Sequence, residues 1–410
     1  MSTDRTAHTN PFVPGFGSTP PALVGREAEF ADIEAMIGRV RQGIYEQPRL
    51  LVGERGLGKT ALLIEVTVWA RRQRLWQVDL QAAETGDLTP HLMRDLREHL
   101  LAHDRDARVV DLVRRALRVL SSFSVTYGVG VKLDLTKESG RADTGDLATD
   151  LGDVLIATCQ AARSIGTALL VTVDEVQKMP GPQLEALLTA VQRVYKDRSD
   201  PRANLPFALI AAGLPDALDT IRHLGGTFGE RVRVHELDML SVPETIEALV
   251  IPARERSVRW DGDALDRLAL RTGGWPVAVQ QYGYDAWNAG TGSLIASTEV
   301  ERALITAERA LDRIYAGRLR DTTDRQRAYL QAMAGLPAAE RTSAAVAKRV
   351  GSTSRAWGST RDGLIRSGLI RPDGYGRAAF TLPGFDDFLH AREPRAVSGS
   401  SDTEKGSGGG

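Results

Sequence analysis

The chain has a single cysteine, Cys159, so an internal disulfide framework is excluded. A lone thiol inside a helical pattern reads as a small buried core residue and fits a reducing compartment. Lysine is also scarce: seven of the 52 basic residues are Lys and the rest are Arg, which with abundant Ala and Gly suggests a GC-rich bacterial source. Net charge is almost absent, 52 basic residues against 53 acidic. The molecule is therefore no polyelectrolyte, and any nucleic-acid surface must be a local patch. Long hydrophobic runs are missing: the longest, 168–173 and 206–214, are far too short to span a bilayer, and the first residues carry no apolar leader. These absences predict a cytoplasmic protein without a membrane partner. What is present, 42% hydrophobic and 26% charged residues over 410 positions, is the composition of globular domains, two or three in number.

Residues 1–22 are rich in Thr, Ser, Pro and Gly and predict an extended arm without its own core. From residue 23 to about 238, apolar runs (49–52, 75–80, 168–173, 206–212, 232–237) alternate with helical patterns. Runs apolar on both faces, separated by helices, predict a parallel, doubly covered α/β sheet. Within it Phe123, Val125, Tyr127, Val129, Val131, Leu133 and Leu135 recur with a period of two, which predicts a hairpin insertion at about 122–136. The pattern is all-helical over 239–320. Helices followed by two short strands occupy 321–393, and the Gly/Ser-rich stretch 394–410 reads as a disordered tail.

The run Gly53-Glu54-Arg55-Gly56-Leu57-Gly58-Lys59-Thr60 matches G-x-x-x-x-G-K-[ST], with a strand before it and a helix opening at Lys59. Glycines let successive N–H groups face inward on a phosphate, and the helix mouth adds free donors and partial positive charge. Lys59 supplies a charge for the β- and γ-phosphates, and the Thr60 hydroxyl suits Mg²⁺. Ala61 continues the helix. A second run, Leu169-Leu170-Val171-Thr172-Val173-Asp174-Glu175, is a buried strand ending in two carboxylates. Asp174 fits the metal side, and Glu175 the base that directs a water to the γ-phosphate. ATP and Mg²⁺ are the implied ligands, and ATP hydrolysis the implied reaction. A small-molecule P-loop kinase fits less well, because no acceptor pocket is suggested.

These residues resemble the AAA+ superfamily over about 23–290, in particular origin-recognition-like ATPases and the STAND group of signalling ATPases. Leu23-Val24-Gly25-Arg26-Glu27 resembles the family's entry segment, which implies that Val24, Gly25 and Arg26 lie beside the adenine. Gly273-Gly274-Trp275-Pro276 is similar to the glycine–proline motif of the helical lid, and Pro276 would close on the base. Phe228-Gly229-Glu230-Arg231 stands where such proteins place an arginine that senses the γ-phosphate, so the resemblance makes Arg231 catalytic. One departure stands out: the strand ending Ala211-Ala212-Gly213 lacks the polar residue that the family places there, and this argues for slow turnover. Residues 10–17 resemble N-terminal arms of actinobacterial ATPases of this type; physically, their prolines stiffen an apolar strip able to lie across a domain.

Two helical patterns meet at Gly351, and the hairpin signal Arg371-Pro372-Asp373-Gly374-Tyr375-Gly376 follows. Together they describe a winged helix-turn-helix, which resembles the domain C-terminal to origin-recognition-like ATPases. Between Arg341 and Arg377 eight residues are basic and two acidic. Arg355, Ser359, Arg366, Tyr375 and Arg377 are the candidate contacts to double-stranded DNA. The residues leave two readings open: an ATP-dependent switch coupled to DNA, or an ATP-controlled regulator that self-associates or whose winged helix binds a protein.

Overall fold

A computed structural model of the chain describes residues 5–104, 110–129, 140–197 and 203–392. Two compact units divide it, Met1–Leu311 and Asp312–Gly410.

The first unit opens with α1, Glu27–Arg41, which buries Ile33, Met36, Ile37 and Val40 at helical spacing. Then come β1 (Arg49–Val52), α2 (Lys59–Arg72), β2 (Trp76–Gln81), α3 (Thr89–Leu101), α4 (Val110–Thr126), α5 (Leu147–Ile165), β3 (Leu169–Asp174), α6 (Gly181–Lys196), β4 (Phe207–Gly213), α7 (Ala217–Gly225) and β5 (Arg233–Glu236). The five strands form one parallel sheet ordered β2-β3-β4-β1-β5, with Leu51 opposite Ala212 and Val171 opposite Leu209. Every residue of β1, β3 and β4 is buried, which is why these strands read as unbroken apolar runs. Because the strands are parallel, the turns leaving β3, β4 and β1 emerge side by side at one sheet edge, the usual ligand edge of open α/β sheets.

The period-two reading of 122–136 is overturned where it can be compared. Residues up to Thr126 continue α4, whose buried stripe is Val113, Ala116, Leu117, Leu120 and Phe123, while Val125 is exposed. The intervening hydroxyls make the helix tolerable in the core: Ser122, Ser124 and Thr126 donate to the carbonyls of Arg118, Leu120 and Ser122, four residues back. The remainder of that stretch, from 130, lies outside the described residues, as does 394–410.

The helical region consists of α8 (Val242–Glu255), β6 (Arg259–Trp260), α9 (Gly262–Arg271), α10 (Pro276–Asn288), β7 (Leu294–Ile295) and α11 (Ser297–Arg320). Ser241 and Glu244 close a reciprocal capping box at the start of α8. The expected all-helical stretch is thus interrupted by a short parallel pair, β6 with β7. The unit boundary falls inside α11, nine residues before the position 320/321 read from the sequence.

Among the described residues the arm has no helix or strand, yet it is anchored. Arg5 is buried and donates to the carbonyls of Ala286, Thr291, Gly292 and Leu294, and pairs with Glu299 at 2.7 Å. Phe12 is buried where Gly283 leaves room for its ring.

The second unit contains α12 (Asp324–Ala334), α13 (Ser343–Arg349), α14 (Ser354–Arg366), β8 (Ile370–Pro372), β9 (Ala378–Phe380) and α15 (Phe385–His390). β8 and β9 pair antiparallel, and Thr342 bridges antiparallel to Arg377 at the same hairpin. Tyr329, Met333, Val346, Leu364, Ile370, Phe385 and Phe388 are buried. The terminal helix α15 was not legible beforehand; its Phe385 and Phe388 pack on Tyr315, whose hydroxyl donates to the Pro383 carbonyl.

Candidate functional site

The loop 53–58 leaves β1 and turns into α2, with Gly56 at φ +82° and Gly58 at φ +90°, conformations open to glycine. Its carbonyls are tied from several directions. Lys59 Nζ donates to Gly53 O at 2.7 Å and to Glu54 O at 2.9 Å. Trp275 Nε1 donates to Arg55 O at 3.3 Å, and Arg26 Nη2 to Leu57 O at 2.9 Å. With the carbonyls held in this way, the N–H groups of the loop and of the first turn of α2 remain as the donor set for an anion.

Thr60 Oγ1 donates to Asp174 Oδ2 at 2.7 Å. The two side chains expected to share a cation thus meet, although 114 residues separate them. Among the described residues no cluster of three or more His, Cys, Asp or Glu could hold a metal alone. A hydroxyl and one carboxylate suit Mg²⁺, which keeps waters and takes substrate phosphate oxygens for the rest of its shell. The residues present fit a magnesium–nucleotide complex.

Glu175 follows at φ +55°, a left-handed conformation unusual for a side chain with a Cβ. Its Oε2 accepts from Gln177 Nε2 at 3.0 Å and pairs with Lys178 Nζ at 3.1 Å. Burial favours the neutral acid, but the Lys178 hydrogen bond and the charges of Lys178, Arg55 and Lys59 outweigh it and hold the carboxyl below the usual glutamate range. Burial likewise lowers the Lys59 ammonium, against the pull of Glu175 and Asp174.

Three of the candidate residues are engaged or placed as follows. The buried guanidinium of Arg26 donates to the carbonyls of Gly25, Leu57 and Asp238, so it braces the loop. Arg231 is exposed just before β5. Glu236 of β5 is level with Val52, so Arg231 lies about five residues, roughly 16 Å, from this chain's own phosphate edge. On the hairpin, Arg377 donates to the Asp373 carbonyl and pairs with Asp373, so its guanidinium serves the turn.

The other sites fall as follows. Val24 is buried and Gly25 takes φ +69° beside Leu240 and Glu244, while Ala61 is buried in α2. Pro276 opens α10, where its missing N–H costs nothing. On α14, Arg355, Ser359 and Arg366 are exposed along one stripe opposite buried Thr360 and Leu364; Asp362 shares that stripe. Tyr375 is fully exposed at the hairpin tip. Of the eight basic residues between 341 and 377, Arg341 is structural, paired with Asp386 and stacked on Phe380. Lys348, Arg355, Arg366 and Arg371 are the exposed ones without an ion pair among the described residues.

Two residues at the site escaped sequence reasoning as participants. Trp275 stood inside the quoted glycine–proline motif, and a buried tryptophan needs a partner for its N–H. Gln177 had no signal beyond lying three positions after Asp174.

A family model described as an AAA ATPase domain matches residues 22–233, over half of the chain, and the chain belongs to that family. A second model, described as a domain of unknown function, matches residues 312–389. No curated protein matches the chain. Among solved structures it is similar to a Walker-type ATPase of Pyrococcus abyssi, at 15% identity and TM-score 0.59, over 90% of this chain and 96% of that one. It is also similar to the ADP form of the ORC2 protein of Aeropyrum pernix, at 14% identity and TM-score 0.52, over 95% and 99%. The fold is that of P-loop NTPases, and the chain is an ATPase-domain protein of the AAA+ type.

Proposed function

We propose that this AAA ATPase-domain protein is a nucleotide-dependent switch that binds and slowly hydrolyses ATP with Mg²⁺ and passes its state to a C-terminal winged helix that contacts double-stranded DNA. The observation that carries the nucleotide half is the Thr60–Asp174 contact beside a loop whose carbonyls are tied and whose amides are left as donors. Phosphates would sit on those amides, with Lys59 turning from the carbonyls of Gly53 and Glu54 to the β- and γ-oxygens. Thr60 and Asp174 would hold Mg²⁺, which would supply charge neutralisation at those oxygens. Glu175 accepts a proton from water as the water oxygen bonds to the γ-phosphorus and the bond to the ADP oxygen breaks. The apolar end of β4, Ala211-Ala212-Gly213, is the reason to expect slow turnover.

Isothermal calorimetry with Mg-ATP tests the site: Lys59→Ala is expected to abolish binding, and Glu175→Gln to retain binding but stall phosphate release. Full affinity in the Lys59 variant removes the site.

The DNA half is supported by the order α12, Thr342 bridge, α13, α14, β8, β9, which is that of a winged helix, and by the exposed Arg355 and Arg366 on one face of α14. Titration with duplex DNA at two salt concentrations should give an affinity that falls steeply with salt; no binding at low salt favours a protein partner. A second reading, assembly of copies with ATP at the interface, is favoured by the position of Arg231, which is exposed and remote from its own phosphate edge. Light scattering with and without ATP decides it.

A further inference from the structure

The strand β4 ends in Ala211-Ala212-Gly213 with no polar side chain, and the next N–H, that of Leu214, is met by a side chain from elsewhere. Gln177 Oε1 accepts from Leu214 N at 3.2 Å, while its Nε2 donates to Glu175 Oε2 at 3.0 Å. The carboxamide therefore spans two turns that leave neighbouring strands, β3 and β4. Room for it exists because residue 213 has no Cβ: a Cβ there would stand 2.7 Å from Gln177 Oε1. Three further facts bear on Glu175. Its backbone is in the left-handed region, which a non-glycine residue keeps where its surroundings enforce it. Its Oε2 is occupied by Gln177 and Lys178. Its Oε1 has no partner among the described residues, which leaves one oxygen able to take a proton.

We propose that Gln177 is a positioning residue for the hydrolytic step, replacing from the turn after β3 the polar group that β4 lacks. The amide dipole has both ends engaged, so its orientation is fixed: the oxygen must face the Leu214 N–H and the NH₂ must face the carboxylate. Glu175 is thereby held with Oε2 turned to its donors and Oε1 directed away from them. Any shift of the β4 end is transmitted to the general base through one side chain. The charged groups that face Glu175 are Lys178 from its own turn and Arg55 and Lys59 from the loop and α2, with Asp174 adjacent. Gln177 is the neutral member of that set, and it orients the carboxylate without adding charge.

This inference rests on Glu175 acting in ATP hydrolysis. The test compares wild type, Gln177→Leu and Gln177→Glu by steady-state ATPase kinetics and by calorimetry with Mg-ATP. Leu keeps the volume and removes both hydrogen bonds. Glu keeps an acceptor for Leu214 N but repels Glu175. The expected result is a fall in kcat of roughly tenfold or more in both variants, with ATP affinity unchanged. A kcat within twofold of wild type, or a loss that appears wholly in affinity, overturns the assignment while leaving the nucleotide site standing. A wild type that binds ATP but shows no turnover above Glu175→Gln overturns the hydrolytic reading, and this assignment with it.

Discussion

The indole N–H of Trp275 reaches the main-chain carbonyl of Arg55, so the helical region grips the phosphate loop by its backbone. Gly56 makes the approach possible, since a Cβ there would lie 2.6 Å from the indole nitrogen. Replacing Trp275 with Phe removes the donor and keeps a ring. Leaving that carbonyl without its partner costs about 1 kcal/mol, so Mg-ATP affinity by calorimetry is expected to fall about fivefold. Unchanged affinity would show that the contact does not shape the loop.

Gly274, one residue earlier, has φ +71°, and a Cβ there would lie 2.0 Å from the Leu240 carbonyl oxygen. Backbone cannot retreat as a flexible side chain can. Gly274→Ala is expected to destabilise the first unit by about 3 kcal/mol, read as a lower urea midpoint. Gly292→Ala, at φ +87° but in open space, is the control and should cost clearly less.

Lys178 holds Glu175 ionised. A depressed carboxyl contributes stability above its unfolded pKa and loses it as pH falls through the folded value. Removing the ammonium with Lys178→Met lets the Glu175 pKa rise, so the acid limb of the kcat profile should shift to higher pH while the alkaline limb stays. A pH–rate profile with an unmoved acid limb would mean that Lys178 does not govern this carboxylate.

Much of this site is legible in the chain. β1, β3 and β4 announced themselves because strands buried on both faces leave no polar alternation, and the glycine loop and the acidic pair follow from local spacing alone. What stayed hidden was distant or indirect. Arg26 and Trp275 act on backbone carbonyls 31 and 220 residues away, and a carbonyl has no sequence signature. In α4 Phe123 satisfied two periods at once, three residues after buried Leu120 and two before exposed Val125; the helix prevailed because serine hydroxyls bonded back to the preceding turn allowed it to stay buried.

On α14, Arg355→Ala and Arg366→Ala should each lower the slope of log affinity for duplex DNA against log salt by about 1, measured by fluorescence anisotropy. Arg341→Ala should instead melt the second unit, because its guanidinium pairs with Asp386 and stacks on Phe380. A salt slope unaffected by both α14 variants would place any DNA contact elsewhere.

Arg5 has its charge buried against Glu299. Arg5→Met leaves that carboxylate without its cation and should lower stability by about 3 kcal/mol, seen in chemical denaturation; the double variant Arg5→Met/Glu299→Met should recover part of the loss. Equal midpoints for wild type and Arg5→Met would reduce the arm to decoration.

The partners of Arg5 lie 281 to 294 residues further along the chain. A ribosome making this protein would release Arg5 long before its socket existed, so the arm must wait as a loose leader until α10 and the start of α11 have emerged. Its docking is therefore a late event in biosynthesis. A bulky fusion ahead of Arg5 would be tolerated by the sheet, whose strands precede the socket in the chain, and would be felt at the helical region that completes the nucleotide loop.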